Sequence, residues 1–278
     1  MSFAGLRVLS LESRRSKDIE SLILRQNGVP FVAPSVKERA LEDHSIAFGF
    51  VEQLEAGAFD MVILMTGTGL AFLKDIVTVR MPAERLGAAL RRTVIVSRGP
   101  KPVPVLRQLQ VPVTVMIPEP NTWKEIVTAV AARPERQIAV QEYGRPNFEM
   151  NAALEALGAT VTPVALYRWE LPDDVEPLRQ AALGLARDEF EVVVFTSSIQ
   201  LDHLLMVARE LGLEEKVMGT LKQRAAIASV GPVMTAWLEA KGLPPDIIPK
   251  QPKLGALVKA AAEQAVEAVQ RKRSGQSK

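Results

Sequence analysis

Short apolar runs alternate with amphipathic segments along the whole chain. The runs fall at residues 6–11, 61–65, 93–96, 111–117, 137–140, 192–195, 225–230 and 246–248. The run at 61–65 is apolar at every position, as in a strand covered on both faces. Between the runs, apolar residues recur at helical spacing in 17–26, 46–55, 123–132, 151–157, 178–186, 201–211, 233–241 and 254–269. Strands alternating with helices of this length predict an α/β chain with mostly parallel, doubly wound sheets.

The pattern repeats. Residues 59–73 lie over 190–204 at an offset of 131, matching Phe59 with Phe190, Asp60 with Glu191, Val62 with Val193, Thr66 with Ser197 and Leu70 with Leu201. Ser97-Arg98-Gly99-Pro100 lies over Ser229-Val230-Gly231-Pro232 at an offset of 132. Glu12, Arg15 and Gly28 lie over Glu142, Arg145 and Gly158 at an offset of 130. Offsets that agree this closely predict a duplicated α/β unit. A chain of 278 residues is long enough for two such domains. Segments 29–35 and 159–172 contain Pro and many β-branched residues, and read as linkers or long strands. Two domains with paired linkers imply a cleft between them, a favoured place for a ligand.

Composition removes several chemistries. The chain has no Cys, so disulfides, Cys-held zinc, iron–sulfur clusters and a thiol nucleophile are excluded. Its two His, His44 and His203, are too few for a multi-His metal site, and both read as structural or exposed. Net charge is +2, with no basic stripe interleaved with aromatics, so nucleic acid is not an expected partner. No apolar stretch reaches about 18 residues, and residues 1–11 lack the charged start and long apolar run of a signal peptide. A cytoplasmic protein with no membrane partner is expected. The basic tail from Arg271 to Lys278 reads as a solvated, frayed terminus.

The candidate chemistry sits in turns after strands: Thr66-Gly67-Thr68-Gly69, Ser97-Arg98-Gly99-Pro100, Thr196-Ser197-Ser198 and Ser229-Val230-Gly231-Pro232. Each precedes a helix, whose first N–H groups lack partners and carry partial positive charge, which suits carboxylate or phosphate. No Gly-Lys-Ser/Thr and no Gly-x-Gly-x-x-Gly occurs there, so a nucleotide is not favoured. Arg14, Arg15, Lys17, Arg98, Lys101, Arg145, Arg168, Lys250 and Lys253 lie at turns or linker ends and could pair with a polycarboxylate. Arg98 and Arg145 stand out because each adjoins a Gly turn where a helix should begin. Tyr143 and Tyr167 are the only tyrosines, and Tyr167 lies in the 159–172 linker, where a phenol could hydrogen-bond a leaving hydroxyl or a carboxylate. No paired-carboxylate case arises for the repeat equivalents Glu12 and Glu142.

These residues carry a family resemblance. FDMVILMTGTGLAFL (59–73), RGPK (98–101), YGRPNFEMNAALEALGATVTPVALYRW (143–169), FEVVVFTSSIQLDHLL (190–205) and ASVGPVMTAWLEAKGLPPDIIPKQPKLGALVKA (228–260) resemble uroporphyrinogen-III synthases, in order and spacing. The resemblance implies two α/β domains, 1–35 with 172–278 and 38–165, joined by a two-stranded antiparallel linker drawn from residues near 29–38 and 159–172. It implies closure of hydroxymethylbilane, a linear tetrapyrrole with eight carboxylates, to uroporphyrinogen III, with inversion of the last ring, loss of water and no metal or organic cofactor. Tyr167 matches the family's cleft tyrosine, which assists hydroxyl loss. Thr66, Gly67, Thr68, Gly69, Ser197, Ser198 and Ile199 match substrate-binding turns. Arg98, Lys101, Tyr143, Gly144, Arg145, Gly231 and Thr235 complete the expected substrate contacts. A monomer is expected, in transient contact with the upstream bilane-forming enzyme. Two departures stand out. The family's Thr-Arg-Pro after the first strand reads Ser10-Leu11-Glu12-Ser13-Arg14-Arg15, and the position of the family's Thr after Gly231 holds Met234, with Thr235 one residue late. The competing reading is a non-catalytic ligand-binding or regulatory homologue of the same fold.

Overall fold

The computed structural model describes residues 2–275. In chain order, its first elements are β1 (Arg7–Ser10), α1 (Ser16–Arg25), β2 (Val29–Val32), β3 (Lys37–Ala40), α2 (Ser45–Glu55), β4 (Met61–Leu64), α3 (Gly67–Thr78) and α4 (Ala83–Leu90). Then come β5 (Val94–Ser97), α5 (Val103–Gln108), β6 (Val115–Met116), α6 (Trp123–Val130), β7 (Gln137–Gln141), α7 (Phe148–Ala156), β8 (Thr160–Val164) and β9 (Tyr167–Glu170). The last are α8 (Glu176–Ala186), β10 (Val192–Phe195), α9 (Ser198–Glu210), α10 (Glu214–Gln223), β11 (Ala226–Ser229), α11 (Pro232–Ala240) and α12 (Leu254–Arg273).

The chain divides into two compact units, Met1–Lys37 with Glu170–Lys278, and Glu38–Trp169. In the second, a parallel sheet runs β6-β5-β4-β7-β8. Its central strand explains the unbroken apolar run. Met61, Ile63 and Met65 enter the core under α6 and α7, while Val62 and Leu64 enter the core under α2, α3 and α4. The discontinuous unit holds a parallel sheet in the order β11-β10-β1-β2. Its strands are likewise buried on both faces: Leu9, Val193 and Ile227 meet α8 and α9, whereas Val8, Val192 and Ala226 meet α1 and α12. The antiparallel pair β3-β9 forms a two-stranded sheet through which the chain passes from one unit to the other and back.

The repeat has a structural counterpart. Counted from β10, the discontinuous unit runs β10, β11, a single bridge at Ile247, β1, β2. Across the sheet these lie in the same spatial order as β4, β5, β6, β7, β8. The offsets near 131 therefore superpose strands of equal rank in two sheets whose chain order is circularly shifted.

Three local expectations differ from the structure, and a fourth is narrowed by it. The run at 111–117 yields only the two-residue β6, because Pro112 lacks an N–H for the ladder. The run at 246–248 reduces to one bridge, Ala228 with Ile247, flanked by Pro244, Pro245 and Pro249. Most of 29–35 and 159–164 forms the sheet strands β2 and β8, the strand alternative of the two readings of those segments. The basic tail is not frayed at its start, since α12 continues to Arg273. Lys272 bonds Asp246 at 2.9 Å and donates to the carbonyls of Leu221 and Ala225. Gln276, Ser277 and Lys278 lie outside the described residues.

Leu70 anchors the first turns of α3 and is fully buried. Leu70→Ala should cost about 2–5 kcal/mol through lost burial and the cavity left behind. A lower urea midpoint at unchanged slope is the expected observation.

Candidate functional site

Three strands of the 38–169 unit end level. Leu64 pairs with Ser97 on one side and Gln141 on the other, so Met65, Arg98 and Glu142 form the next row, at the carboxyl edge. The strand order reverses between β4 and β7, and in open parallel sheets ligands bind outside the strand ends at such a point.

The turn from β4 into α3 is fixed by side chains. The Thr66 N–H donates to Gln141 Oε1 at 3.1 Å, and Thr66 Oγ1 accepts from the Gly69 N–H at 3.0 Å, capping the helix. The same hydroxyl lies 3.2 Å from the Tyr167 hydroxyl. Tyr167 is buried and its ring packs on Phe72 at 5.6 Å. Gly67 has no room for a side chain, since a Cβ there would stand 2.3 Å from the Lys101 carbonyl oxygen. That close approach brings the turn carrying Thr66, Gly67, Thr68 and Gly69 against the turn carrying Arg98 and Lys101.

Beyond β5 and β7 lies a stack of cations and rings. The Arg98 guanidinium sits 5.3 Å from the Tyr143 ring centre, Tyr143 meets Trp169 edge-on at 5.7 Å, and Arg145 lies 5.8 Å from the Trp169 ring centre. Gly144 makes this packing possible: its φ is +80°, and a Cβ would stand 2.8 Å from the Trp169 ring. Arg98 is half-buried, and no carboxylate pairs with it among the described residues. Burial lowers its pKa below the usual arginine value, against the opposing pull of Tyr143 and Tyr167. A guanidinium partly stripped of water and lacking an anion is a receptor for one.

The discontinuous unit presents the equivalent edge. Ser197 caps α9 in a box with Gln200, whose Oε1 accepts from the N–H groups of Thr196 (2.8 Å) and Ser197 (3.2 Å). Thr196 donates to Glu12 Oε2 at 2.5 Å. Ser198 is buried and Ile199 partly exposed in the first turn of α9. Gly231 precedes α11, and Thr235 Oγ1 donates to Ser229 Oγ at 2.9 Å. Met234 is buried in the core, so the hydroxyl at this helix start comes from Thr235.

The structure thus gathers Thr66, Gly67, Thr68, Gly69, Arg98, Lys101, Tyr143, Gly144, Arg145 and Tyr167 in one unit, and Ser197, Ser198, Ile199, Gly231 and Thr235 in the other. Arg14, Arg15, Lys17, Arg168, Lys250 and Lys253 are exposed, and Arg15 pairs with Asp18 at 2.8 Å. His44 is exposed at the start of α2, while His203 is buried with Nδ1 2.6 Å from the Ser35 carbonyl oxygen. Gln141 and Trp169 were not singled out by the sequence. A polar residue ending the apolar run 137–140 was the available signal for Gln141, and nothing local marked Trp169. Among the described residues no cluster of three or more His, Asp or Glu could hold a metal, and no helix is long and apolar enough to cross a membrane.

The family model described as uroporphyrinogen-III synthase HemD matches residues 17–259. An uncharacterized Bacillus subtilis (strain 168) protein, YjjA, is 27% identical over 91% of this chain and 94% of its own length. A putative uroporphyrinogen-III synthase of Methanothermobacter thermautotrophicus is 24% identical over 82% of this chain and 87% of its own. A mutant uroporphyrinogen III synthase of Thermus thermophilus shares the fold with a TM-score of 0.72 at 21% identity, over 95% of this chain and 99% of that one. The uroporphyrinogen-III synthetase of Helicobacter pylori 26695 has a TM-score of 0.53 at 13% identity, over 92% and 98%. A match that spans most of the chain, with the same fold, establishes that this chain belongs to the uroporphyrinogen-III synthase family.

Proposed function

We propose that the chain closes hydroxymethylbilane to uroporphyrinogen III, inverting the last ring and releasing water. The observation that carries this reading is the Tyr167–Thr66 hydroxyl pair at the start of α3, on the edge where the strand order reverses.

The first step breaks the bond between the terminal methylene and its hydroxyl. The pyrrole nitrogen supplies the electron pair, the oxygen leaves as water after gaining a proton, and an azafulvene remains. Tyr167 is suited to assist. The Gly69 N–H donates to Thr66 Oγ1, whose own proton can point at the Tyr167 oxygen, an arrangement in which the phenol donates to the leaving hydroxyl. Each bond in such a chain polarises the next. The azafulvene is electrophilic enough to need no protein nucleophile, which fits a chain without Cys. What remains is conformational: the substituted position of the last pyrrole must attack, giving a spirocyclic intermediate. Holding a flexible chain in that geometry can supply roughly 7–11 kcal/mol. Arg98, with its unpaired guanidinium, is suited to one substrate carboxylate, and Arg145 on the Trp169 face to another.

Isomer analysis is the direct test. The bilane closes spontaneously to isomer I, so predominant isomer III after addition of the protein is the expected result, and isomer I alone from folded protein would overturn the proposal. Tyr167→Phe should lower kcat about 10²-fold with KM little changed, the effect of removing a positioned proton donor. Arg98→Ala should raise KM about ten- to hundredfold, as for loss of a charged hydrogen bond, with less effect on kcat.

A further inference from the structure

Glu142 is a largely buried residue whose carboxyl oxygens reach the carboxyl edge of the sheet without a protein partner. It is 7% exposed, and its side chain has no hydrogen-bond or ion-pair partner among the described residues. Its repeat equivalent Glu12 has two, the Thr196 hydroxyl at 2.5 Å and the Arg15 N–H at 3.3 Å. The residue that matches Thr196 at an offset of 131 is Met65, a thioether that donates nothing. One repeat thus holds the carboxyl with its donor, and the other holds the carboxyl without it. A carboxyl held at the edge of a sheet, with little water around it and no protein partner, is open to a ligand.

Placement supplies the ligand. Glu142 and Arg98 flank Met65 in the row at the carboxyl edge. Met61 and Ile63 on β4, Val96 on β5 and Ile138 and Val140 on β7 enter one core, so alternation places Met65, Arg98 and Glu142 on that same face. Adjacent strands are about 4.8 Å apart, so the Arg98 and Glu142 backbones are separated by about 10 Å, a gap that two side chains and a carboxylate between them can span. One cation without an anion and one carboxyl without a donor therefore face the same edge.

We propose that Glu142, in its protonated form, donates a hydrogen bond to an acidic side chain of the tetrapyrrole whose charge Arg98 neutralises. This rests on the proposed activity and names a further specificity residue for it. Burial alone pushes the Glu142 carboxyl above its usual value. The charged and titratable groups on the surrounding elements are Arg98 after β5, Tyr143 and Arg145 on its own loop, Lys124 and Glu125 on α6, and Glu149 and Glu155 on α7. β4 and β8 carry none, and none of these groups contributes to the shift. Once ionised, Glu142 would lose its donor and repel the substrate carboxylate.

The test is the pH dependence of KM on the full chain from about pH 5.5, just above the ordinary carboxylate range, to about pH 9, with preformed bilane and subtraction of spontaneous closure. Substrate carboxylates stay ionised over that range. The wild-type KM should rise about tenfold or more with pH. Glu142→Gln, which keeps a neutral donor, should hold KM within about threefold of the low-pH wild-type value throughout. Glu142→Ala should have a raised KM at every pH. A Gln variant whose KM rises with pH as the wild type does would overturn the proposal, as would a flat wild-type profile. Should the wild type give only isomer I, the activity reading fails on its own. Binding of uroporphyrin III, followed by tryptophan fluorescence, then tests the site. Affinity that falls with pH in the wild type but not in Glu142→Gln would support it, and absent or pH-independent binding would overturn it.

Discussion

Where β4 and β10 run out, the buried chain must turn into a helix without abandoning backbone N–H groups that water cannot reach. A glutamine amide meets that constraint in each unit, and the candidate sites follow from it. Gln141 reaches across from the neighbouring strand to the Thr66 N–H. Gln200 reaches back from the first turn of its own helix to Thr196 and Ser197. With the turn held this way, the threonine or serine hydroxyl is free to cap the helix, and the remaining N–H groups at the helix start point outward. Gln141 is itself tied down through the Glu142 carbonyl oxygen, so the amide and the turn are locked to the main chain that carries Glu142.

The two edges share architecture and differ in chemistry. The edge at β10 is internally satisfied: Glu12 is held by Thr196 and Arg15, and Thr235 by Ser229. The edge at β4 leaves a guanidinium and a carboxyl unmatched beside two tyrosines. Holding such groups partly stripped of water and unpaired costs stability, and a fold tolerates that cost where a ligand supplies the missing partner. The two frames are alike, and a difference as small as Met65 against Thr196 leaves one carboxyl without the donor the other has.

Much of this was legible in the sequence because parallel strands buried on both faces leave a plain signal. The run 61–65 is apolar throughout since α-helices cover both sides of β4, and the same pattern at 192–195 revealed β10. The duplicated turns were readable for a related reason, since Gly and small hydroxylated residues are required where strands feed helices. The failures are equally physical. Strand pairing is decided by N–H groups as well as by apolar character, so the prolines at 112, 244 and 245 shortened runs that looked adequate. Lys272 looked like part of a solvated tail because nothing nearby in sequence announces Asp246 or the carbonyls of Leu221 and Ala225. Trp169 and the unmatched state of Glu142 depend on partners brought together from distant segments, which no local pattern encodes.

The circular shift between the two sheets has a consequence for how the chain is made. All five strands from β4 to β8 are contiguous, so that sheet can assemble as soon as it leaves the ribosome. The other cannot. β1 has β2 beside it, but its other neighbour, β10, begins 160 residues after β2 ends. At about 5–20 residues per second, the first two strands wait roughly 8–30 seconds with one apolar edge open. During that interval β1 is the vulnerable surface of the nascent chain, exposed to any other extended segment that could pair with it. Translation speed through the inserted unit, and the speed with which that unit folds out of the way, thus govern whether the first strand waits for its proper neighbour or is captured by a wrong one.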